Sequence, residues 1–600
     1  MVEVQEVGPC ATPAVQRADN GFVLIYDDRL DVRNGRDAWR ATSALIERLS
    51  DQERSHDDLV TALIAFGVYE SALADALCPA RDEPHPLLAR VRAAAESLGA
   101  AVAASMAGDR SAIARAVTEA TSTWRACGEI DGPPLSLKVP EGYAYYSLYP
   151  EAYAAAVVEW ANRNRPRRIL ALGLRSIGTS LAAVVTGALR QSGLAADSWT
   201  VRPHGHPFDR RLEIAPSLAA MLQPAHSTLL IVDEGPGLSG SSMTAAASAI
   251  SALGVADSRI VFVPSWNPDP ATFVSAAAAA RWPRHEVIVP DFDRIRRMLA
   301  DQGAVPLDAQ ELSAGAWRDA VRLPSPWPAV QPQHERRKFR CGSELARFAG
   351  LGVYGRATTQ RADALAGARW SPDPIRLRRG FLTTSWIEGT PMRQSDADAS
   401  FVKYAAGYLA WLRCHAQADN ASPWGSRLDA LNQMLLTNTR EALGPAWLAA
   451  AESLVNGASA FTEPAVEVDG RLQPHEWLTT RDGRWVKTDA LDHHRDHFFP
   501  GPTDAAWDVA GFVVEWDLTG HDRSTFVRDY ASASGDRSVE SRLPFFTAAY
   551  AAFRVGYCTV AAGALAGTED GRQFEALAMR YRDALRVTLA SAQPAVPNAR

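Results

Sequence analysis

Cysteine is scarce in this chain. Six occur in 600 residues, Cys10, Cys78, Cys127, Cys341, Cys414 and Cys558, and no two stand at C-x-x-C spacing. That argues against a zinc knuckle and a dithiol redox motif, and so few cysteines in so long a chain fit a reducing compartment. No segment approaches the ~18 apolar residues that a membrane span needs. The alanine run Ala276–Ala280 stops at Arg281. The opening MVEVQEVGPC has acids where a signal peptide needs a basic region and an apolar run. The expectation is a cytoplasmic protein with no membrane partner. An excess of positive charge is missing too. Lys and Arg number 62 against 69 Asp and Glu, for a net charge of −7. That disfavours a nucleic-acid partner and leaves small acidic ligands, which a local positive site can hold on an acidic protein. No internal repeat of fixed period is present.

The length predicts several domains at ~150 residues each. Residues 1–20 are polar and unpatterned, and Phe22–Tyr26 reads as a short strand. Asp37 to Trp124 has apolar residues at three and four spacing, so residues 1–127 are expected to be a mostly helical region. Glu70 within it is expected on a solvated helix face. From residue 128 to 321 the signals alternate. Strands are expected at Arg168–Leu172, Trp199–Val201, Thr228–Val232 and Ile260–Pro264, with helices at Thr179–Gln191 and Ser242–Leu253. That alternation predicts an α/β unit with a parallel sheet. Residues 322–332, RLPSPWPAVQP, read as a proline-rich linker. Residues 333–600 form a second large unit, opening with strands and ending in Ala-rich helices.

Two constellations carry chemistry. In the first, the apolar strand Leu229–Val232 runs into Asp233 and Glu234, then into a loop of three glycines and three serines ending at Ser242, where a helix begins. Ligands collect at the carboxyl ends of parallel strands. Glycines let backbone N–H groups approach a phosphate, and the new helix offers its free N–H groups to the same anion. Acids there suit sugar hydroxyls or Mg²⁺. An earlier turn, Arg175-Ser-Ile-Gly-Thr-Ser180, repeats strand, glycine and helix start. Between them Arg202, His204, His206 and Arg210 crowd one short stretch, readable either as a polyphosphate clamp or as a salt-bridged surface loop. The stretch Lys138–Tyr146 could supply tyrosine faces beside the site.

The Asp233–Ser242 stretch resembles the phosphoribosyl-pyrophosphate (PRPP) motif of type I phosphoribosyltransferases, over about residues 130–290. The resemblance implies that Asp233 and Glu234 hold the ribose hydroxyls, with Asp233 also a metal ligand. It implies that Gly237, Ser239, Gly240, Ser241 and Ser242 hold the 5-phosphate. Arg175 with Ser176, Gly178 and Thr179 would hold the pyrophosphate, aided by Arg202. Glu as the second acid, and Leu238 where a small hydroxyl residue is common, depart from the motif.

The second constellation lies in residues 385–511. Ser385-Trp-Ile-Glu-Gly is a strand end running into a turn, and Tyr408–Ala416 is an amphipathic helix ending in His-Ala. Pro474-His-Glu-Trp-Leu, an Asp482-Gly turn, Trp485-Val-Lys-Thr-Asp489 and Asp504–Gly511 follow. This order is similar to the aminoglycoside/choline phosphotransferase branch of the protein-kinase-like fold, over about residues 335–590. The resemblance implies an α+β kinase-like unit. His475 would be the loop histidine, Asp489 the metal ligand, Asp508 a structural acid and Lys338 the nucleotide-pairing lysine. The catalytic Asp, two residues after His475, would be Trp477, and the Asn five residues further would be Asp482. Glu476 would then have to stand in for the missing carboxylate, or the unit is a non-catalytic relative. The cluster Asp489, Asp492, His493, His494, Asp496 and His497 has the donors of a transition-metal site but reads more simply as a hydrogen-bonded polar loop.

Three functions are weighed. One is a PRPP-dependent transferase using Mg²⁺, fused to a kinase-like unit. A second is a regulatory protein sensing PRPP or a nucleotide. A third is an ATP-dependent small-molecule phosphotransferase. The acceptor is not written in the motifs, and the resembled transferases are often dimers, so a homodimer is an expectation.

Overall fold

The computed structural model describes residues 30–49, 54–129, 132–206, 208–223, 227–237, 239–321, 323, 327–418, 424–496, 498–499 and 501–592. The expectations for residues 1–20 and Phe22–Tyr26, together with Leu238 and His497, fall outside them.

A short ribbon pairs β1 (Leu30–Arg33) with β2 (Leu135–Lys138). Between these strands run α1 (Gly35–Arg48), α2 (His56–Leu77), α3 (Pro86–Met106) and α4 (Arg110–Arg125). The start of α2 is fixed by a capping box between Ser55 and Asp58. By length and composition α2 could cross a membrane, which the sequence reading did not anticipate, and 78% of its apolar window is buried inside the molecule. Glu70 is not on a solvated face. It is 2% exposed and ion-paired with Arg92 of α3.

The parallel sheet follows. Its strands are β3 (Arg168–Leu174), β4 (Ala196–Val201), β7 (Ser227–Val232), β8 (Ile260–Val263) and β9 (Glu286–Val287), in the order β4-β3-β7-β8-β9. The numbers β5 and β6 belong to an exposed hairpin, His204–His206 and Asp209–Arg211. Alternation decides what covers each face. Ile169 and Ala171 of β3 join a core with α2, α3, α5 (Pro150–Asn164) and α6 (Ile177–Gln191). Leu170, Leu172 and Leu174 join another with Met243 and Ala247 of α7 (Ser241–Ala252). Helices α3 and α6 approach to backbone contact, because a Cβ on Gly99 would lie 2.3 Å from the Ala183 oxygen and one on Gly187 2.2 Å from the Ala100 nitrogen. The N-terminal helices therefore belong to the α/β unit's own core.

The C-terminal unit has two lobes. The first is an antiparallel sheet of β10 (Gln310–Glu311), β11 (Lys338–Cys341), β12 (Glu344–Phe348), β13 (Pro374–Arg378) and β14 (Phe381–Ser385), ordered β10-β11-β12-β14-β13. One helix, α8 (Val353–Gly367), packs on it. The second lobe holds a small sheet of β15 (Gly389–Pro391), β16 (Trp477–Thr480) and β17 (Trp485–Lys487). Its helices include α9 (Ala399–His415), α10 (Ala506–Glu515), α11 (Val539–Ala564) and α12 (Glu569–Ala592). This is the α+β, two-lobed arrangement that the kinase-like resemblance implies.

Two boundaries differ from the sequence reading. Strand β10 precedes the proline-rich stretch yet pairs with β11, so the first lobe begins before residue 322. The stretch is also anchored: the Val330 N–H donates to Asp570 at 3.0 Å, and Arg318 pairs with the same carboxylate at 2.7 Å. The units share one core as well, since Phe339, Phe348 and Phe381 of the antiparallel sheet pack with the α/β helices.

Candidate functional site

The first constellation is assembled in part. Strands β3 and β7 are parallel neighbours, with Gly173 opposite Val232, so the two glycine turns come together. A Cβ on Gly178 would lie 2.5 Å from the Val232 oxygen and 3.3 Å from the Asp233 carboxylate. Gly237 and Gly240 have φ of +63° and +64°, which glycine adopts without strain. Ser239 and Ser241 hydroxyls lie 2.9 Å apart, and Ser242 is in the first turn of α7. Glu234 accepts the Gly142 N–H at 3.2 Å, so the Lys138–Tyr146 stretch does lie beside this loop. Burial lifts the Asp233 carboxyl to about 7, and burial with its acidic neighbour lifts Glu234 to about 8.

The pyrophosphate half is not as the resemblance implies. The Arg175 side chain is 2% exposed and is held by Asp82 and by Asp75 at 2.8 Å. Arg202 is paired with Asp75 at 2.5 Å. Thr179 and Ser176 are bonded to Ser71 of α2. The cavity between Asp75, Ser176 and Arg202 holds about 10 Å³, room for about one water and not for a pyrophosphate. A helix that the motif does not mention thus supplies a carboxylate where an anion was expected. His204 and His206 stand on the exposed β5–β6 hairpin.

The larger site is the cleft between the lobes of the C-terminal unit, a cavity of about 230 Å³. Ser385, Trp386 and Ile387, the hinge after β14, form part of its wall. Its floor is the loop before the β16–β17 hairpin, and Asp508 of α10 fixes this loop by accepting the N–H groups of Asp469 at 2.7 Å and Gly470 at 2.9 Å. That is a structural role for Asp508.

Trp477 and Asp482, two positions of the expected catalytic loop, do not line the cleft. Trp477 opens β16 and is fully buried against Phe401 and Tyr408, so it does not face the cleft. Asp482 is in the exposed hairpin turn. The loop that precedes the hairpin runs from Asp469 to Glu476 and carries Arg471 and His475. His475 lines the cavity, stacked on Trp317 with centroids 5.8 Å apart. Burial and nearby Arg471 and Lys487 drive its imidazole down to about 3, so it is neutral.

Lys338 also lines the cleft. It is on β11, paired with Glu335 at 2.5 Å. The central strand β12 carries Arg347, which reaches Asp489 at 3.2 Å and Asp492 at 2.7 Å. The alternation of Trp477–Thr480 before an Asp-Gly turn was the signal that Trp477 opens a strand.

Glu476, Asp489 and His493 present donor atoms within 4.8 Å of one another. One Asp489 oxygen and His493 Nδ1 are buried without a hydrogen bond. His493 Nε2 lies 3.4 Å from Asp489. Burial alone would raise the Asp489 carboxyl, but Arg347 and His493 hold it well below its usual range. Burial raises Glu476, which Lys487 partly offsets from 2.9 Å. Two carboxylates and an imidazole lie together here, and they fit a divalent cation once it displaces the proton that, despite burial, Asp489 favours on His493, whose imidazole is raised to about 9. Asp492 and His494 do something else: Asp492 pairs with Arg336 at 2.6 Å, and His494 is wholly buried.

No family model matches this sequence, and no curated protein does. Among solved structures the chain is similar to a choline/ethanolamine kinase family protein from Mesorhizobium loti, at 15% identity and TM-score 0.34, over 50% of this chain and 98% of that one. It is similar to choline kinase LicA from Streptococcus pneumoniae at 13% and 0.34, over 50% and 99%. It is also similar to a macrolide 2'-phosphotransferase from Brachybacterium faecium at 15% and 0.32, over 48% and 98%.

Proposed function

We propose that the cleft binds ATP with a divalent cation and transfers its terminal phosphoryl group to a small molecule. The observation that carries this reading is the convergence, below the hinge, of Arg347 from β12 with Asp489, Glu476 and His493. A cation held there would neutralise phosphate oxygens as charge moves onto the leaving diphosphate. Arg347 is placed to pair with the phosphates while keeping Asp489 ionised, and the hinge wall with Trp386 and Ile387 offers an apolar seat for a base. The acceptor oxygen bonds to phosphorus as the bridging bond breaks. Titration calorimetry with Mg²⁺·ATP on the full chain is the test, with micromolar binding expected in the wild type and at least tenfold weaker binding in Asp489→Ala. Equal heats in both would remove the reading.

Arg471 favours a second reading, a nucleotide-responsive regulatory protein. It stands at the cleft in the loop before the hairpin, and it cannot take a proton. Nucleotide binding without ADP release across an acceptor panel would select this reading.

A PRPP site at Asp233–Ser242 is the finer reading of the α/β unit. It is supported by the adjacent glycine turns and the paired acids, and opposed by the engagement of Arg175. Mg²⁺·PRPP is expected to raise the melting temperature of the wild type more than that of Asp233→Asn.

A further inference from the structure

Four Lys and Arg side chains line the cleft, and three are matched by a carboxylate at bonding distance. Arg336 has Asp492 at 2.6 Å, Lys338 has Glu335 at 2.5 Å, and Arg347 has Asp492 at 2.7 Å. Arg471 is the exception among the described residues. Its guanidinium makes no hydrogen bond, and its one ion pair, to Glu476, is long at 3.9 Å. It borders the cavity with His475 and with Tyr557 of α11. The guanidinium is partly exposed to the cavity, so its donors are available to a ligand.

We infer that Arg471 is an oxyanion subsite, and that the second ligand of the cleft is a small molecule bearing a phosphate or carboxylate group. The inference rests on the nucleotide reading for the word "second" but not for the subsite itself. Three points support it. The guanidinium fork pairs two oxygens of such a group at once. Arg471 belongs to the loop that ends in the candidate metal ligand Glu476, so an anion gripped there lies beside the place where a terminal phosphate would be held. Its nearest carboxylates are drawn more closely to other cations, because Asp489 pairs with Arg347 at 3.2 Å, and Glu476 lies 2.9 Å from Lys487 but 3.9 Å from Arg471. A cationic acceptor such as a quaternary amine would meet the wrong charge, whereas an anionic one would satisfy a group the protein leaves open.

The experiment uses the full chain and two probes, ribose 5-phosphate and ribose, each titrated with and without saturating Mg²⁺·AMP-PNP. Ribose 5-phosphate should bind and ribose should not. Arg471→Gln should weaken the phosphate probe at least tenfold, Arg471→Lys should weaken it less, and both should change AMP-PNP affinity less than twofold. Melting curves establish that the variants fold, and Tyr557→Phe is a second variant, with a smaller loss expected at the same subsite. Equal probe affinity in wild type and both Arg471 variants would overturn the inference. So would a tenfold loss of AMP-PNP affinity in Arg471→Gln, since the arginine would then serve the nucleotide. Arg471-dependent probe binding with no AMP-PNP binding would support the subsite and remove the phosphotransferase reading.

Discussion

Asp508 accepts the backbone N–H of Asp469 at 2.7 Å, so a buried carboxylate on α10 shapes the loop that carries Arg471 and Glu476. Burial together with Asp469 lifts the Asp508 carboxyl to about 7. Asp508→Ala leaves two buried N–H groups without an acceptor, at ~1–3 kcal/mol each. The expected result is a lower denaturation midpoint and at least tenfold weaker nucleotide binding. Asp508→Asn, which retains one acceptor oxygen, should fall between. Urea melts and calorimetry on the same preparations check both.

Trp477 is a core residue, and its removal should act on stability alone. Trp477→Ala deletes a fully buried indole from a cluster with Phe401 and Tyr408 and should cost about 3–5 kcal/mol. Below the melting transition, nucleotide affinity should stay within threefold of wild type. A large affinity loss at unchanged stability would place Trp477 in the cleft after all.

Arg347 and Lys338 make a direct comparison. Arg347→Ala should weaken nucleotide binding more than tenfold, because it removes a cation and leaves Asp489 and Asp492 with a partner fewer. Lys338→Ala, which frees only Glu335, should weaken it less than fivefold. The reverse order would restore the lysine to the role the sequence suggested.

The acid pair at β7 predicts a pH dependence. Burial and Asp233 raise the folded Glu234 carboxyl to about 8, above its ordinary value of 4.5. A raised folded value means that the native state holds a proton the unfolded chain has lost. The stabilisation is complete below about 4.5 and is lost as pH rises through about 8. Unfolding free energy should therefore decline across that window, and Glu234→Gln should flatten the decline. An unchanged slope in the variant would place the titration elsewhere.

Much of the architecture was legible in the sequence because burial patterns are local. The βα alternation of residues 168–264 and the glycine loop were visible in periodicity and turn residues, while the α+β character of the C-terminal unit was implied by a resemblance. The neighbouring of β3 and β7 was expected, and the register of Gly173 with Val232 brings the two turns together. The resemblance implied Asp489 as a metal ligand, and the structure puts it among metal-type donors.

What needed tertiary structure were the partners. Arg175 looked like a phosphate ligand because its own turn is open, but Asp75 and Asp82 come from segments about a hundred residues earlier and close on it. Glu70 looked solvated because its helix is read alone, and Arg92 of the next helix buries it. Trp477 lies in the core and Arg471 at the cleft for the same reason. A sequence shows spacing, but which residue faces the cleft depends on where the hairpin begins and on the Asp508 carboxylate beneath it. The chain's periodicity determined its sheets and helices, because that information lies within a few residues. Which charges stay open for a ligand was decided only when distant segments met, because neutralisation is a property of neighbours in space.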